Sequence, residues 1–236
     1  MKVVIVTGAG RGLGLSISKK LIEQNYYVVG IGKSISKDFE KLDNRLSKFY
    51  KFDLFKISNI HNLVREIIKD HKNIYGLVNN AAIGLDGVLA TQHKKDINKL
   101  ITVNIESPIT ITKYVSRNMI KNKSGKIVNI SSIIASTGFN GLSVYAATKS
   151  ALEGFSRSLS RELGKANINV NCVAPGYMLT NMSSNISKDQ IKSIIKRAPL
   201  GLAKVDDAAN AVLYLLSEKS NKISGTILTI DGGSTA

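Results

Sequence analysis

The sequence predicts an α/β protein built on a parallel sheet. Seven short runs of β-branched and apolar residues alternate with helical patterns along 236 residues, which is typical of repeated βα units. The first run leads into four glycines within seven positions, Gly8 to Gly14, and a helical pattern follows at once. We therefore expect a single domain over residues 1–236, with a doubly wound, Rossmann-like, seven-stranded parallel sheet and helices on both faces.

The composition excludes several classes of protein. An apolar fraction of 43% and only three prolines argue against disorder. No apolar run approaches about 18 residues, so no membrane span is expected, and a strand that starts at residue 2 leaves no room for a signal peptide. The single cysteine, Cys172, suits a small buried hydrophobic role in a cytoplasmic protein. The three histidines, His61, His71 and His93, lack ligand spacing, so no metal site is expected.

The formal net charge of +16 comes from basic residues spread along the chain. Such a surface attracts acidic partners and can bind nucleic acid without specificity. No nucleic-acid motif and few aromatic residues accompany the charge. Solvated lysine faces are therefore the better interpretation, and no nucleic-acid partner is expected.

The glycine-rich turn follows the first strand and opens a helix over about residues 12–25. Glycine accepts positive φ and lets a pyrophosphate approach the backbone, and the N–H groups at the start of a helix attract that anion. An ordinary turn with nothing bound is the alternative. The strand–turn–helix context favours a dinucleotide site. The candidate residues are Gly8, Arg11, Gly12, Leu13 and Gly14.

The second strand, over residues 26–33, ends in Gly32 and Lys33. In a dinucleotide fold, an acidic residue at this point holds the 2′-hydroxyl of NAD. No Asp or Glu is present here, and Lys33 and Arg11 offer two cations for the 2′-phosphate of NADP. Two surface bases in a basic protein are the alternative. Because the missing carboxylate and the added cations favour the same cofactor, we predict NADP(H).

A short helix over residues 38–46, a strand over 47–53, a helix over 57–71 and a strand over 74–78 come next. The fourth strand ends in Asn79, Asn80, Ala81 and Ala82. Two amides beside two small residues suggest a turn fixed beneath a ligand, with a capped loop as the alternative.

A long helical region over about residues 91–121 contains Pro108. The proline ring blocks the helical hydrogen bond to the carbonyl of Asn104. A kink that frees this carbonyl for water or a side chain is one interpretation, and a simple packing kink fits the sequence equally well.

The fifth strand, over residues 126–130, ends in Ser131 and Ser132, at the sheet edge where α/β proteins bind ligands. Tyr145 and Lys149 are four residues apart at the start of a helix that runs to about residue 165, so they share one face. A nearby ammonium lowers the pKa of a phenol, which can then transfer a proton, while a serine hydroxyl polarises a carbonyl. Alone, such a pair is more often a packed aromatic beside a surface lysine. The preceding motifs favour the catalytic interpretation.

The sixth strand, over residues 168–173, is followed by Pro175 and Gly176. The polar residues 177–197 are expected to be mobile, to carry short helices and to close over substrate.

The residues of the last part of the chain are expected to have structural roles. Asp206 and Asp207 begin a helix that runs to residue 216, where acidic residues suit the helix dipole. The last strand, over residues 226–230, turns at Asp231, Gly232 and Gly233.

In order and spacing, these motifs resemble the classical short-chain dehydrogenase/reductase family over essentially the whole chain. One departure is Ala82, where the family usually has glycine, because its methyl group lies near the expected position of cofactor or substrate. The resemblance rests on a cofactor turn, a sheet-stabilising turn, an active site and a nicotinamide loop, here Thr7-Gly8-x3-Gly12-x-Gly14, Asn79-Asn80-Ala81, Ser132 with Tyr145-x3-Lys149, and Pro175-Gly176.

The resemblance implies a role for each matched position. Tyr145 would protonate the substrate carbonyl oxygen, and Lys149 would lower the tyrosine pKa and hold the nicotinamide ribose. Ser132 would orient the carbonyl, and Asn104 would join a proton relay through water. Asp53 would accept from the adenine amine and Thr180 would hold the carboxamide. The implied cofactor-binding residues are Gly8, Arg11, Gly12, Leu13, Gly14, Lys33, Asp53, Leu54, Asn80, Ala81, Tyr145, Lys149, Pro175, Gly176 and Thr180.

Within this family the chain most resembles the 3-oxoacyl-[acyl-carrier-protein] reductases, through its compact single domain, the cations Arg11 and Lys33 and the closing Asp231-Gly232-Gly233. That resemblance implies NADPH-dependent reduction of a carbonyl, a substrate carried by an acidic carrier protein, and a homotetramer joined through two long helices and the last strand. Lys123, Lys126 and Lys165 are expected near the active-site edge, where they would face the carrier protein.

Other substrates stay open, because the family also reduces sugars, steroids, polyketide intermediates and small ketones. A protein that binds NADP without catalysis is less expected, since both Tyr145 and Lys149 are present.

Overall fold

The computed structural model describes residues 1–178 and 188–236, and these residues form a seven-stranded sheet. All neighbouring strands are parallel, in the order β3-β2-β1-β4-β5-β6-β7. The predicted fold class is confirmed. The strands β1 to β7 span Val3–Thr7, Tyr27–Gly32, Ser47–Lys51, Ile74–Asn79, Gly125–Ile130, Ile168–Pro175 and Ile227–Ile230.

Helices connect the strands and cover both faces of the sheet. No helix in the described ranges is long and apolar enough to cross a membrane. The α-helices α1 to α9 of these ranges span Gly12–Glu23, Lys37–Glu40, Ile60–His71, Lys94–Ile101, Ser107–Asn122, Ile134–Thr137, Ser143–Leu163, Lys188–Lys196 and Val205–Leu216.

The core lies in two layers, one on each face of the sheet. Successive residues of a strand point to opposite faces, so Val4 of β1 packs in the layer that contains Val212 of α9. Its neighbour Ile5 packs in the other layer, with Ile111 of α5. Cys172 of β6 is buried, as predicted. Because both faces are covered, the central strands are apolar throughout rather than alternating.

The strand order reverses beside β1, whose neighbours are β2 and β4. In open α/β sheets this reversal leaves a crevice at the carboxyl ends of the strands, and ligands bind there. Gly8, Asn80, Ser131 and Gly176 directly follow β1, β4, β5 and β6. The fold therefore brings four of the sequence motifs to one edge.

The helix predicted over residues 38–46 is wrong in length, because α2 ends at Glu40. The Ser36 hydroxyl caps α2 by accepting from the N–H of Phe39 at 3.1 Å. Beyond the helix, the Asp43 carboxylate accepts from the N–H of Arg45 at 2.9 Å and pairs with its guanidinium. Such local side-chain bonds compete with helix formation.

The long helix predicted over residues 91–121 starts later, at Lys94, and continues to Asn122 without a break. Its two α-helical parts, α4 and α5, are joined by a π-helical turn over Thr102–Glu106. Pro108 lies in the first turn of α5. The chain thus accommodates the proline by widening the helix locally, and Asn104 lies in the widened turn.

Candidate active site

The glycine turn after β1 takes a conformation that requires glycine. Gly8 has a φ of +67° and Gly12 a φ of +52°, both in the left-handed region. A Cβ at Gly14 would overlap the carbonyl of Gly8 and the amide of Asn80. Arg11 is the exposed N-cap residue of α1, and Leu13 is buried. The turn therefore presents the start of α1, whose first N–H groups lack helical partners, at the ligand edge.

Two side chains fasten this turn to the end of β4. The Asn80 amide donates to the carbonyls of Thr7 and Gly8, at 2.9 Å and 3.4 Å. The Thr7 hydroxyl accepts from the N–H groups of Asn80 and Ala81, both at 3.0 Å. These bonds cross the point of strand reversal, so β1 and β4 present their ends as one rigid surface.

Lys33 and Asp53 meet at the far end of the expected adenosine site. The Lys33 ammonium lies 3.2 Å from the Asp53 carboxylate, which also accepts from the N–H of Phe55 at 3.0 Å. Burial opposes ionisation of Asp53, but the bonds from Phe55 and Lys33 outweigh it and lower its pKa. Leu54 beside it is buried. One of the two predicted phosphate-binding cations is thus held by the predicted adenine-binding carboxylate.

Both the oxygen and the nitrogen of the Asn104 side-chain amide form hydrogen bonds that hold the side chain in place. Its oxygen accepts from the N–H of Ile83 at 2.9 Å, and its NH₂ donates to the Ile83 carbonyl at 2.9 Å and to the Thr148 hydroxyl at 3.2 Å. The Thr148 hydroxyl in turn donates to the carbonyl of Tyr145 at 2.7 Å. A π-helical turn is frequent at functional sites, and this one is tied to the helix that carries Tyr145.

Ser132 lies at the carboxyl end of β5, in a loop held from two sides. Its hydroxyl accepts from the N–H of Ile134 at 3.3 Å. The neighbouring Ser131 hydroxyl donates to the Glu153 carboxylate of α7 at 2.8 Å, and the N–H of Ile133 donates to the Pro175 carbonyl at 3.1 Å. The loop is therefore anchored both to α7 and to the end of β6.

Lys149 is buried under this loop. Its ammonium donates to the carbonyl of Ile130, the last residue of β5, at 2.8 Å, and lies 5.6 Å from the centre of the Tyr145 ring. Burial lowers the pKa of Lys149 to about 8. At neutral pH the amine is therefore still charged, although its environment disfavours the charge.

The expectation of a lowered phenol pKa is wrong for this structure. Burial raises the pKa of Tyr145 to about 12. The reason is that desolvation penalises the phenolate. The Lys149 ammonium is directed to the Ile130 carbonyl. Tyr145 therefore keeps its proton at neutral pH.

Pro175 ends β6, and Gly176 follows it at the same edge. The N–H of Gly176 donates to the Ile230 carbonyl at 2.8 Å, which ties this loop to the last strand. Thr180, the predicted partner of the carboxamide, lies outside the described residues. The predicted segment over residues 177–197 contains α8, and its residues 179–187 are likewise outside the described part.

The alanine that replaces the family's usual glycine causes no backbone strain. Ala82 has a negative φ, in contrast to the four non-glycine residues with positive φ in the described part of the chain. Its neighbour Ile83 makes both backbone bonds to Asn104. The methyl group is therefore compatible with the local turn.

The lysines expected beside the active site lie at the opposite edge of the sheet. Lys123 and Lys126 come before or at the start of β5, and Lys165 comes before β6, whereas Ser132 follows the end of β5. Lys126 is buried, and its ammonium donates to the Ser220 hydroxyl at 3.3 Å. The prediction was wrong because residues that precede or open a parallel strand lie at the edge opposite to its carboxyl end, where the ligand site is.

Three residues of this region carry contacts that the sequence reasoning missed. In the sequence, Thr7 is part of a glycine motif and Thr148 is a spacer between Tyr145 and Lys149. Asp231 is a turn residue and part of the closing Asp231-Gly232-Gly233 of the family resemblance. The sequence signals that could have indicated these contacts are a hydroxyl residue next to a motif position, for the two threonines, and a carboxylate before two glycines, for Asp231.

Comparison with known proteins gives consistent results. The family model described as short chain dehydrogenase matches residues 2–191. The chain is 36% identical to the 3-oxoacyl-[acyl-carrier-protein] reductase FabG of Chlamydia trachomatis, over 98% of this chain and 96% of that protein. It is 37% identical to carbonyl reductase family member 4 of Xenopus tropicalis, over 98% of this chain and 97% of that protein.

Two solved structures are similar over nearly the whole chain. ElxO with NADP bound has a TM-score of 0.90 and 31% identity, covering 99% of this chain and 98% of its own. A gluconate 5-dehydrogenase from Burkholderia cenocepacia, in complex with NADP and tartrate, has a TM-score of 0.93 and 28% identity, covering 99% and 95%.

Proposed function

Since the chain belongs to the short-chain dehydrogenase/reductase family and is an oxidoreductase, we propose that it reduces a carbonyl to an alcohol with NADPH. The observation that carries this proposal is the meeting of Tyr145, Lys149 and the Ser131–Ser132 loop at the end of β5. The proposed substrate is a 3-oxoacyl group on an acyl carrier protein, which becomes the 3-hydroxyacyl group. The relatives named FabG support this substrate.

The described residues fit NADP(H) in two respects. The left-handed glycines and the exposed start of α1 leave the close approach that a pyrophosphate needs. Arg11 and Lys33 supply cations where a carboxylate would favour NAD. Two structural neighbours were solved with NADP. Bound there, the cofactor supplies the hydride.

The side chains of the site would handle the proton and the substrate carbonyl. Because burial raises the pKa of Tyr145 to about 12, its phenol is protonated at neutral pH and can act as general acid in reduction. Ser132 would orient the carbonyl oxygen. The charged Lys149 would stabilise the phenolate left after proton transfer, and Asn104 would connect the site to a water relay.

A second substrate class has support of its own, because one relative at 37% identity is named a carbonyl reductase. Free ketones are therefore the alternative substrates. The three lysines do not lie at the active-site edge, so they do not support a substrate bound to a carrier protein. The assay must therefore compare carrier-bound substrates with free ketones.

The proposal includes a homotetramer in the cytoplasm. An apolar groove beside Leu89 supports assembly. It is bordered by α4, the π-helical turn and α7, and Ile101 and Val144 lie on its walls. A second copy of the chain would bury this surface, which single subunits seldom expose to water. Light scattering of the purified protein measures the assembly directly.

The decisive experiment follows the absorbance of NADPH, and separately of NADH, with acetoacetyl-carrier protein and with a free ketone as acceptors. Oxidation of NADPH with the carrier-bound substrate is the expected result. Oxidation with the free ketone alone would replace the substrate class. No oxidation with any acceptor, despite tight NADPH binding, would contradict the proposed reductase activity on these substrates.

A further inference from the structure

The Asp231 carboxylate organises the last residues of the chain. One oxygen accepts from the N–H of Gly233 at 2.9 Å. The other accepts from the Ser234 hydroxyl at 3.0 Å, and from the N–H and hydroxyl of Thr235 at 2.9 Å and 2.7 Å. Four bonds to one buried carboxylate fix a tight turn over residues 231–235.

This C-terminal turn is in close contact with the loop after β6. The N–H of Gly176 donates to the Ile230 carbonyl, directly before the turn. A Cβ on Gly176 would lie 2.8 Å from the Cβ of Asp231 and 2.9 Å from its Cα, closer than real atoms approach. The position of Gly176 is therefore determined by the backbone of Asp231.

The other side of the C-terminal turn contacts the chain before α9. The N–H of Leu200 donates to the Gly232 carbonyl at 3.1 Å. A Cβ on Gly232 would overlap the carbonyl of Gly201, and one on Gly233 would lie 3.2 Å from Pro199. The turn thus packs between two segments that are distant along the chain.

We propose that Asp231 is a positioning residue for the Pro175–Gly176 loop, and through it for the nicotinamide half of NADP(H). The inference rests on the proposed function, because it takes the place of this loop beside the nicotinamide from the family resemblance. Asp231 lies at the far side of the sheet from the glycine turn after β1, since β7 and β1 are separated by three strands. It therefore acts on one half of the cofactor and not on the adenosine half.

Replacement of Asp231 by asparagine tests whether this residue affects binding of the nicotinamide half without affecting binding of the adenosine half. The Asp231→Asn side chain keeps an oxygen for Gly233 but turns an NH₂ group toward the N–H of Thr235, which cannot accept. The hydroxyls of Ser234 and Thr235 would have to change from donors to acceptors. The turn must rearrange, and Gly176 shifts with it. Thr235→Val removes only the 2.7 Å bond and is the milder variant if Asp231→Asn does not fold.

The test is calorimetric binding of NADP⁺ and of 2′,5′-ADP, which carries the adenosine half without nicotinamide. Asp231→Asn is expected to weaken NADP⁺ binding about tenfold and to change 2′,5′-ADP binding less than about twofold, in line with losing one or two bonds to a charged group. Gly176→Ala is expected to give the same pattern. The matched control is Asp207→Asn, which loses a carboxylate that caps α9 by accepting from the N–H of Lys204 at 2.8 Å.

Equal weakening of both ligands by Asp231→Asn would overturn the inference, because it would indicate general loosening of the fold. Unchanged NADP⁺ binding in both Asp231→Asn and Thr235→Val would overturn it as well. Failure of the unsubstituted protein to bind either ligand would instead refute the proposed cofactor, and the inference would fall with it.

Discussion

Replacement of the buried Lys149 by methionine is expected to stabilise the fold at neutral pH and to remove activity. Burial lowers the pKa of Lys149 from 10.5 to about 8. Each pKa unit corresponds to about 1.4 kcal/mol, so the fold destabilises the charged amine by about 3 kcal/mol. Methionine fills similar space without a charge.

The sign of the pH dependence follows from the lowered pKa. Above pH 10.5 the amine is neutral in the folded and the unfolded chain. As the pH falls toward 8, the unfolded chain takes up a proton that the folded chain does not, so the free energy of unfolding decreases. Below pH 8 both states are protonated and the loss is complete. The stability gained by Lys149→Met is therefore expected to grow by roughly 2.5 kcal/mol between pH 10 and pH 7.

Urea unfolding, followed by circular dichroism at several pH values, measures this difference. Comparing the pH dependence cancels the constant cost of losing the bond to the Ile130 carbonyl. Lys121→Met, at an exposed position, controls for the loss of one lysine. A stability difference that stays constant with pH would refute the reasoning, because it would mean that the ammonium is not desolvated. A difference that shrinks toward pH 7 would mean that the fold stabilises the charge.

Three further changes test the proposed roles. Tyr145→Phe is expected to leave NADPH affinity nearly intact and to slow reduction by about 100-fold, as for the loss of a general acid; near-normal turnover would remove this residue from the mechanism. The double variant Arg11→Ala, Lys33→Ala is expected to weaken NADPH at least about tenfold more than NADH in a fluorescence titration, since only NADPH carries the 2′-phosphate, and equal weakening would contradict the phosphate site. Thr148→Val leaves one N–H of Asn104 without its partner and is expected to lower kcat about fivefold, with Thr148→Ser restoring it; equal rates in both variants would exclude a role for this hydroxyl.

The sheet and the motif positions could be predicted from the sequence because they depend on local patterns. A buried parallel strand is apolar throughout, and a glycine turn such as Gly8–Gly14 has a backbone that other residues cannot adopt. These features are visible in a few consecutive residues. The spacing of Tyr145 and Lys149 was likewise sufficient to place both on α7.

The electrostatics of the site could not be predicted in the same way. The direction of the Tyr145 pKa follows from desolvation of the phenol by the fold, which is not encoded near the tyrosine. The Ile130 carbonyl that binds the Lys149 ammonium likewise belongs to a distant strand. The pairing of Lys33 with Asp53 joins the ends of two strands that are twenty residues apart in sequence. Such properties depend on packing between distant segments.

The fastening of the glycine turn by Asn80 and Thr7 has a consequence for the thermodynamics of cofactor binding. The turn is held by protein groups alone, so its geometry exists before any ligand arrives. Binding there loses little conformational entropy, because the loop is pre-organised. Association at this end of the cofactor should approach a rigid-body encounter, and the affinity of the adenosine half should depend on contacts made rather than on a folding step.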